Sequence, residues 1–566
     1  MLVEWDVGIR MDDGLVLRAD VFRPAGAGRA PAILSYGPYA KGLPFQDGYP
    51  DQWRRLVEHH PEVLRGSSGR YQNWEVVDPE KWVPDGYACV RVDSRGAGRS
   101  PGFLDPFSPR ETRDLFLCIE WAAAQEWSNG KVGLLGISYY AINQWHVASL
   151  GPPHLAAICP WEGAADWYRD MLRHGGIACT FWDNWMKRQV ITVQHGLGRR
   201  GPMNPHTGQP VAGPETLSDD ELAHARADLR RAMLAHPLDG EYYRQRSPDW
   251  SRITVPLLSA GNWGGHGLHL RGNVEGFMRA ASTEKWLEVH GREHWTEFYT
   301  DYGVGLQKRF FDRYLKGARN GWERQPRVLL QIRHVDGFVP RTEEAWPIPR
   351  TRWTRFYLDA VSRTLVAAPA AAAAVEYEAA GPGVTFSTPP LTEATEVTGP
   401  AAAKLFVSSS TTDADVFVVL RAFAPDGREV DFQGALDPHA PLGQGWLRAS
   451  HRRLDPALST EWRPYHSHDR SEPLTPGELY ELDVEIWPTC IVLPAGYRIA
   501  LTVLGKDFER PGPGLRMRTF ANEMRGSGPF LHDDPEDRPP AISGGRHTLH
   551  TGGTRASYLL LPVIPP

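Results

Sequence analysis

The segment Val132–Trp145, VGLLGISYYAINQW, runs an apolar strand into a tight turn and on into a helix. Ser138 stands at that turn, two residues after Gly136. A serine placed there has its hydroxyl exposed at the carboxyl edge of a sheet, with the next backbone N–H available to an oxyanion. Gly136 lets neighbouring backbone approach closely, while Tyr140 stands where the common Gly-x-Ser-x-Gly motif has its second glycine. Gly-x-Ser also describes an ordinary serine capping a helix. Two readings are therefore open at Ser138: a nucleophile, or an N-cap.

A nucleophilic serine needs a histidine to take its proton and an acid to orient that histidine, and the order of elements must bring them to one edge. The first third of the chain alternates short apolar runs (APAILSYGPY, GYACVRVDSRG, KVGLLGIS, LAAICPWEG) with helical stretches such as ETRDLFLCIEWAAAQ. Runs of this kind bounded by Gly, Pro and Asp suit parallel strands covered on both faces, and the alternation argues α/β. From Gly163 to Trp250 the pattern turns helical, charged and aromatic, with a capping-box signature at Ser218 and Glu221. The sheet resumes with ITVPLLSAGNW and EKWLEVHGREH, followed by the amphipathic GLQKRFFDRYLKG. Past Ala345 the runs become short and strand-like, separated by Pro-Asp-Gly and Pro-Ala-Gly turns, as in a β-sandwich. The expected organisation is a core of residues 1–162 and 251–345, a helical cap over 163–250, and an all-β domain over 346–566. The alanine run at 366–383 reads as a surface segment.

Composition narrows the partners. A formal net charge of -6 with no block of like charges gives no reason to expect nucleic acid or an anionic membrane. The first residues carry no basic stretch leading into an apolar segment, and no window approaches a membrane span. Five widely spaced cysteines without CxxC pairing suggest neither a disulfide framework nor a zinc site. No phosphate-binding Gly-rich loop is present, so no cofactor is expected. The expectation is a soluble, cytoplasmic protein acting on a small molecule, with a broad sandwich face that could support a homodimer.

Several segments together carry a resemblance: IRMDDGLVLRADVFRP, SYGPYAKG, VRVDSRGAGRSPG and IEWAAAQEWSNGKVGLLGISYYA, followed by the strand-rich C-terminus. In this order, and over essentially the whole chain, they resemble the cocaine esterase and X-Pro dipeptidyl-peptidase family of serine hydrolases. The resemblance implies an α/β-hydrolase core with a helical cap and a C-terminal jelly roll, cleaving esters or amides through an acyl-enzyme. By position it makes Ser138 the nucleophile and the Tyr139 N–H one oxyanion donor. Tyr39 would supply its phenolic hydroxyl as the second. Ala141 replaces a family glycine after the nucleophile, the smallest possible departure.

The same resemblance points to His294, in LEVHGREHWTEFY, as the base, with His290 as a competitor because Arg292 and Glu293 replace the family's Pro-Trp. At the acid the pattern breaks. The family's Gly-x-x-Asp after VPLLSAG is Gly261-Asn262-Trp263-Gly264-Gly265 here, with no carboxylate. Glu162, which ends the apolar run AICPWEG just before the cap, is the expected replacement, with Asp166, Glu293 or no acid at all as alternatives. Asp93 and Arg95 read as a fork-shaped ion pair bracing loops. Trp161, Trp167 and Trp263 flank segments that border the serine, which suggests an apolar or aromatic acyl guest. An acyltransferase using the same nucleophile, or a binding protein that lost its triad, are the other functions the pattern allows.

Overall fold

The computed structural model describes residues 1–26 and 28–566. Its central sheet contains β1 (Leu2–Arg10), β2 (Val16–Arg23), β3 (Ala30–Gly37), β4 (Ala88–Asp93), β5 (Ser128–Ile137), β6 (Leu155–Trp161), β7 (Leu257–Asn262), β8 (Lys285–His290), β9 (Val328–His334) and β10 (Gly337–Glu343). The spatial order is β1-β2-β4-β3-β5-β6-β7-β8-β9-β10. The run from β4 to β9 is parallel, and antiparallel strands finish both edges. β3 and β4 are buried along their whole length, as strands covered on both faces must be.

Four helices matter to the site's position: α1 (Pro109–Ala123), α2 (Tyr139–Ala148), α3 (Leu270–Arg279) and α4 (Asp301–Leu315). Ser108 caps α1 by accepting from the Glu111 N–H, with Pro109 at the first helical position. All ten residues of α2 are buried. Its polar members Asn143 and Gln144 are satisfied by the Tyr36, Tyr140 and Cys159 backbone, and α2 packs on the sheet's centre directly after β5.

The inserted segment between β6 and β7 is a set of short helices. The capping box forms at Ser218 and Glu221, but the helical stretch after it breaks into Asp219–His224 and Leu229–Ala235, because Asp228 caps a second start. A two-stranded ribbon, Arg173–His174 against Ile177–Ala178, projects from this cap.

The C-terminal part is an antiparallel β-sandwich closing on Val, Leu and Ile side chains. Two of its long consecutive strands, Leu479–Leu493 and Arg498–Leu504, do not pair with each other. The first lies against Thr395–Ser409 and the second against Asp415–Phe423, so the turn between them crosses from one sheet to the other. The alanine run is more than surface: Ala373–Glu378 pairs antiparallel with Arg546–Thr551. The three parts are tied together by Arg271 of α3, whose guanidinium meets Asp170 of the cap at 2.8 Å and Glu485 of the sandwich at 3.0 Å.

Candidate active site

Ser138 follows β5 with φ 56° and ψ -114°, a conformation that non-glycine residues rarely adopt. Its N–H donates to the carbonyls of Trp161 (3.2 Å) and Glu162 (3.1 Å), which hold the elbow against the end of β6. The hydroxyl makes no cap to α2, which removes the N-cap reading. Instead Oγ lies 3.1 Å from Nε2 of His269. The elbow is tight because its neighbours lack side-chain bulk. A Cβ on Gly136 would come within 2.4 Å of the Tyr140 Cβ, and one on Gly163 within 2.6 Å of the Ala141 Cβ. Ala141 is thus accommodated by the glycine facing it.

Tyr39 and Tyr139, the two residues expected to serve an oxyanion, both border the cavity next to Ser138. The Tyr139 N–H opens α2, where the first four N–H groups have no partner within the helix. Tyr39 lines the same cavity, and its phenolic oxygen accepts a 3.0 Å hydrogen bond from Trp185 Nε1, which leaves the phenol's own proton free to donate. Burial pushes the Tyr39 hydroxyl well above its usual range, so it stays a neutral donor.

Behind these groups runs a buried chain of carboxylates and imidazoles. Glu162, at φ 49°, accepts from His294 Nδ1 through Oε2 at 2.8 Å, and from His290 Nε2 (2.9 Å) and Asn262 Nδ2 (3.1 Å) through Oε1. His294 Nε2 meets Glu75 Oε1 at 2.9 Å, and His290 Nδ1 meets Glu288 Oε2 at 2.7 Å. Burial works against every charge here, yet the pairing prevails for three members. Glu162 is pulled down to about 2, chiefly by His294, while His294 is raised to about 9, chiefly by Glu162. His290 rises to about 10 between Glu288 and Glu162. At Glu75 burial prevails and raises the carboxyl to about 7.

His269 is different. Burial, and then the charge on His294, hold it well below the ordinary histidine range. It is a neutral imidazole whose ring stacks on that of His294, centres 4.6 Å apart and planes 12° apart.

Ser138, His269, His294, Glu75, Tyr39 and Tyr139 all border one cavity of about 430 Å³. Its remaining wall is largely aromatic. Trp74 and Phe107 come from the core, Phe181, Trp182 and Trp185 from the cap, and Leu436 and Phe520 from the C-terminal domain.

The chain as a whole matches known sequences and structures. Residues 13–296 match the model of the X-Pro dipeptidyl-peptidase (S15) family, and residues 320–560 that of the X-Pro dipeptidyl-peptidase C-terminal non-catalytic domain. The chain belongs to the S15 family of serine hydrolases. Cocaine esterase from Rhodococcus sp. is 26% identical over 99% of this chain and 98% of its own length. A putative serine esterase from Mycobacterium bovis is 26% identical over 92% of this chain and 93% of its own. The crystal structure of a CocE/NonD family hydrolase from Staphylococcus aureus superposes with a TM-score of 0.84 at 33% identity, over 99% of this chain and 94% of that one. The fold is therefore an α/β-hydrolase core with a C-terminal β domain, and the protein is an S15-type serine hydrolase.

Against this family pattern, several expected site residues take other places. Ser138 hydrogen bonds His269, not His294, which is occupied by carboxylates at both nitrogens. His290, also doubly bonded, is buried against Trp161 and does not border the cavity. Neither Trp161, Trp167 nor Trp263 lines it. Trp167 packs behind Phe107 and Trp182, and Trp263 donates to the Gln331 carbonyl within the β7–β9 core. Arg95 forks onto Asp114 at 2.7 and 3.0 Å, whereas Asp93 accepts the N–H groups of Lys41 and Arg99.

The missing acid has a steric counterpart. A Cβ on Gly264 would fall 2.4 Å from the Cα of Gly434 in the C-terminal domain, and Ala435 N–H donates to the Gly264 carbonyl at 3.1 Å. The same Ala435 accepts from the His294 N–H at 2.8 Å. Where the resemblance expects an acid, the 434–435 segment of the C-terminal domain packs against the backbone instead. His269 and Glu75 escaped the sequence reading because neither belongs to a motif. The one available hint for His269 is its place shortly after β7, in a segment that borders the nucleophile in this fold. Glu162, His269 and His294 also offer ligand atoms within 4.8 Å of one another, a spacing a cation could use.

Proposed function

We propose that the protein hydrolyses a small ester, or amide, bearing an apolar or aromatic acyl group, by way of an acyl-enzyme on Ser138. The observation that carries this reading is the 3.1 Å contact between Ser138 Oγ and a neutral His269 Nε2 at the floor of an aromatic cavity. As Oγ bonds to the substrate carbonyl carbon, its proton passes to His269 Nε2, and the Tyr139 N–H and Tyr39 hydroxyl receive the negative oxygen. The imidazolium then returns the proton to the departing alcohol or amine. Water adds to the acyl-enzyme by the same route and releases the acid. Relatives named as esterases and as Xaa-Pro dipeptidyl-peptidases support an ester and an amide alike.

A second assignment of the base has its own support. His294 holds Glu162 at 2.8 Å, the orientation by which an acid directs a catalytic histidine, and it borders the cavity. In this assignment the His294 ring exchanges its bond to Glu75 for one to the Ser138 hydroxyl.

Intact-mass spectrometry after exposure to a fluorophosphonate tests the proposal. A single adduct on the wild type, absent from Ser138→Ala, is expected. No adduct on the folded wild type would refute an activated serine. The same labelling on His269→Gln and His294→Gln separates the two bases, since the variant lacking the base should label slowest.

A further inference from the structure

Two residues of the cap, His174 in the ribbon and Cys179 just after it, meet one from the C-terminal domain. His174 Nδ1 and His532 Nε2 are 2.8 Å apart, and the Cys179 sulfur completes a group whose ligand atoms all lie within 4.8 Å of one another. All three side chains are buried. The first two residues are separated from His532 by about 350 positions, which is why spacing along the chain gave no sign of them.

The outward nitrogens of both rings are committed. His174 Nε2 faces the Asp170 carbonyl at 3.2 Å, which can only accept, so this nitrogen carries the proton. His532 Nδ1 faces Asp507 Oδ1 at 2.8 Å and donates to that carboxylate. The two nitrogens that point at each other are then both lone pairs, and a 2.8 Å approach requires something positive between them. A shared proton would suffice. A metal ion would also engage the thiol, and Asp507 and the Asp170 carbonyl are the kind of outer partners that fix the tautomers of ligating histidines.

We propose that His174, Cys179 and His532 bind one divalent zinc-class cation that clamps the cap to the C-terminal domain. Two imidazoles and a thiolate suit zinc, whose bonds of about 2.0–2.1 Å to nitrogen and about 2.3 Å to sulfur need only a small opening of the N···N distance. Water or a further side chain would take the fourth position. Binding releases the thiol proton to solvent. The surroundings are already braced for such a clamp. Thr180 N–H donates to the Leu531 carbonyl at 2.8 Å, pinning the chain beside Cys179 to the chain beside His532. A Cβ on Gly175 would lie 2.0 Å from the Trp446 carbonyl oxygen, so the ribbon's turn is pressed onto the sandwich. Phe181, two residues beyond Cys179, is part of the cavity wall, and the ion would fix that wall.

Cobalt(II) titrated into chelator-stripped, full-length protein is the test. The expected result is one cobalt per chain with a thiolate-to-cobalt charge-transfer band in the near ultraviolet, lost in Cys179→Ser. The Glu162, His269 and His294 group contains no thiol, so cobalt bound there would give no such band. Absence of the band in the wild type, or its persistence in Cys179→Ser, would overturn the proposal. Should Cys179→Ser not fold, Asp507→Asn keeps all three ligands and is expected to weaken cobalt binding roughly 10–100-fold. Unchanged affinity in that variant would equally refute the site.

Discussion

The imidazole of His269 lies flat against that of His294, with ring centres 4.6 Å apart, and the two are held in opposite protonation states. His294 is a cation because Glu162 and Glu75 bracket it, and its charge is one reason His269 stays neutral. Neutralising position 294 should therefore release its neighbour. In His294→Gln the acid limb of the kcat/KM profile, measured with an activated aryl ester, is expected to move to higher pH. An unmoved limb would mean that His269 is not the group that limits the reaction at low pH.

Glu162 is the hub of the buried chain, accepting from His294, His290 and Asn262. Glu162→Gln leaves the volume unchanged but strands two imidazoles in the interior. Breaking a buried pair in this way costs about 3–5 kcal/mol. We expect a lower melting temperature and, where His294 serves as the base, a fall in kcat of about 10²-fold as its orienting acid is lost. Loss of stability with activity retained would make Glu162 a structural group only.

The same network dictates how stability follows pH. His294 and His290 have folded values raised to about 9 and about 10, so they keep protons that the unfolded chain has released above about 6.5. Their contribution is complete below about 6.5 and is lost as pH rises through the folded values. Glu75, raised to about 7, also makes the folded state hold the extra proton and acts in the same direction. Glu162, lowered to about 2, contributes above about 4.5 and loses its contribution as pH falls toward about 2. The melting temperature should therefore peak between about pH 4.5 and 6.5 and decline towards about pH 10. The decline on the alkaline side should be shallower in a His290→Gln variant.

The parallel strands and the elbow were legible because each is local: an apolar run between breakers, then Gly136-x-Ser138. The order of parts followed from the change in periodicity at Gly163 and near Ala345. Glu162 could be singled out because it ends one such run while the acid expected after the later run VPLLSAG is missing. What could not be read were the relationships that cross the chain. His269 reaches Ser138 across 131 positions and Glu75 reaches His294 across 219. Neither residue sits in a motif, and their partners are set by how β3, β5 and β7 stack. The three tryptophans flank segments that border the serine, which is what made them candidates. In the folded chain their ring volumes fill the core, and the cavity wall comes from Phe181, Trp182 and Trp185 one layer further out.

Tyr39 is polarised by its neighbour, because Trp185 Nε1 donates to the phenolic oxygen at 3.0 Å. If the phenol serves the developing oxyanion, Tyr39→Phe should lower kcat by about 10²–10³-fold with little change in KM. Trp185→Phe retains the ring but removes the donor, and a smaller loss in the same parameter is expected. Equal effects on KM alone in both variants would assign the pair to substrate packing.

Gly264 and Gly265 stand where the resemblance expects the acid, so restoring a carboxylate at 264 looks like a repair. The packing argues otherwise. Any Cβ at Gly264 meets the Cα of Gly434 at 2.4 Å and the Ala435 N–H, all backbone that cannot rotate aside. Gly264→Ala should therefore push the 434–435 segment outward and cost about 1–3 kcal/mol, the usual range for overpacking. Because the Ala435 carbonyl holds the His294 N–H at 2.8 Å, the displacement reaches the base region as well. Gly264→Asp should do both more severely, lowering the melting temperature and hydrolysis of an activated aryl ester together. A Gly264→Asp variant with raised activity would show instead that the docked loop yields and that the vacated position can still direct a histidine.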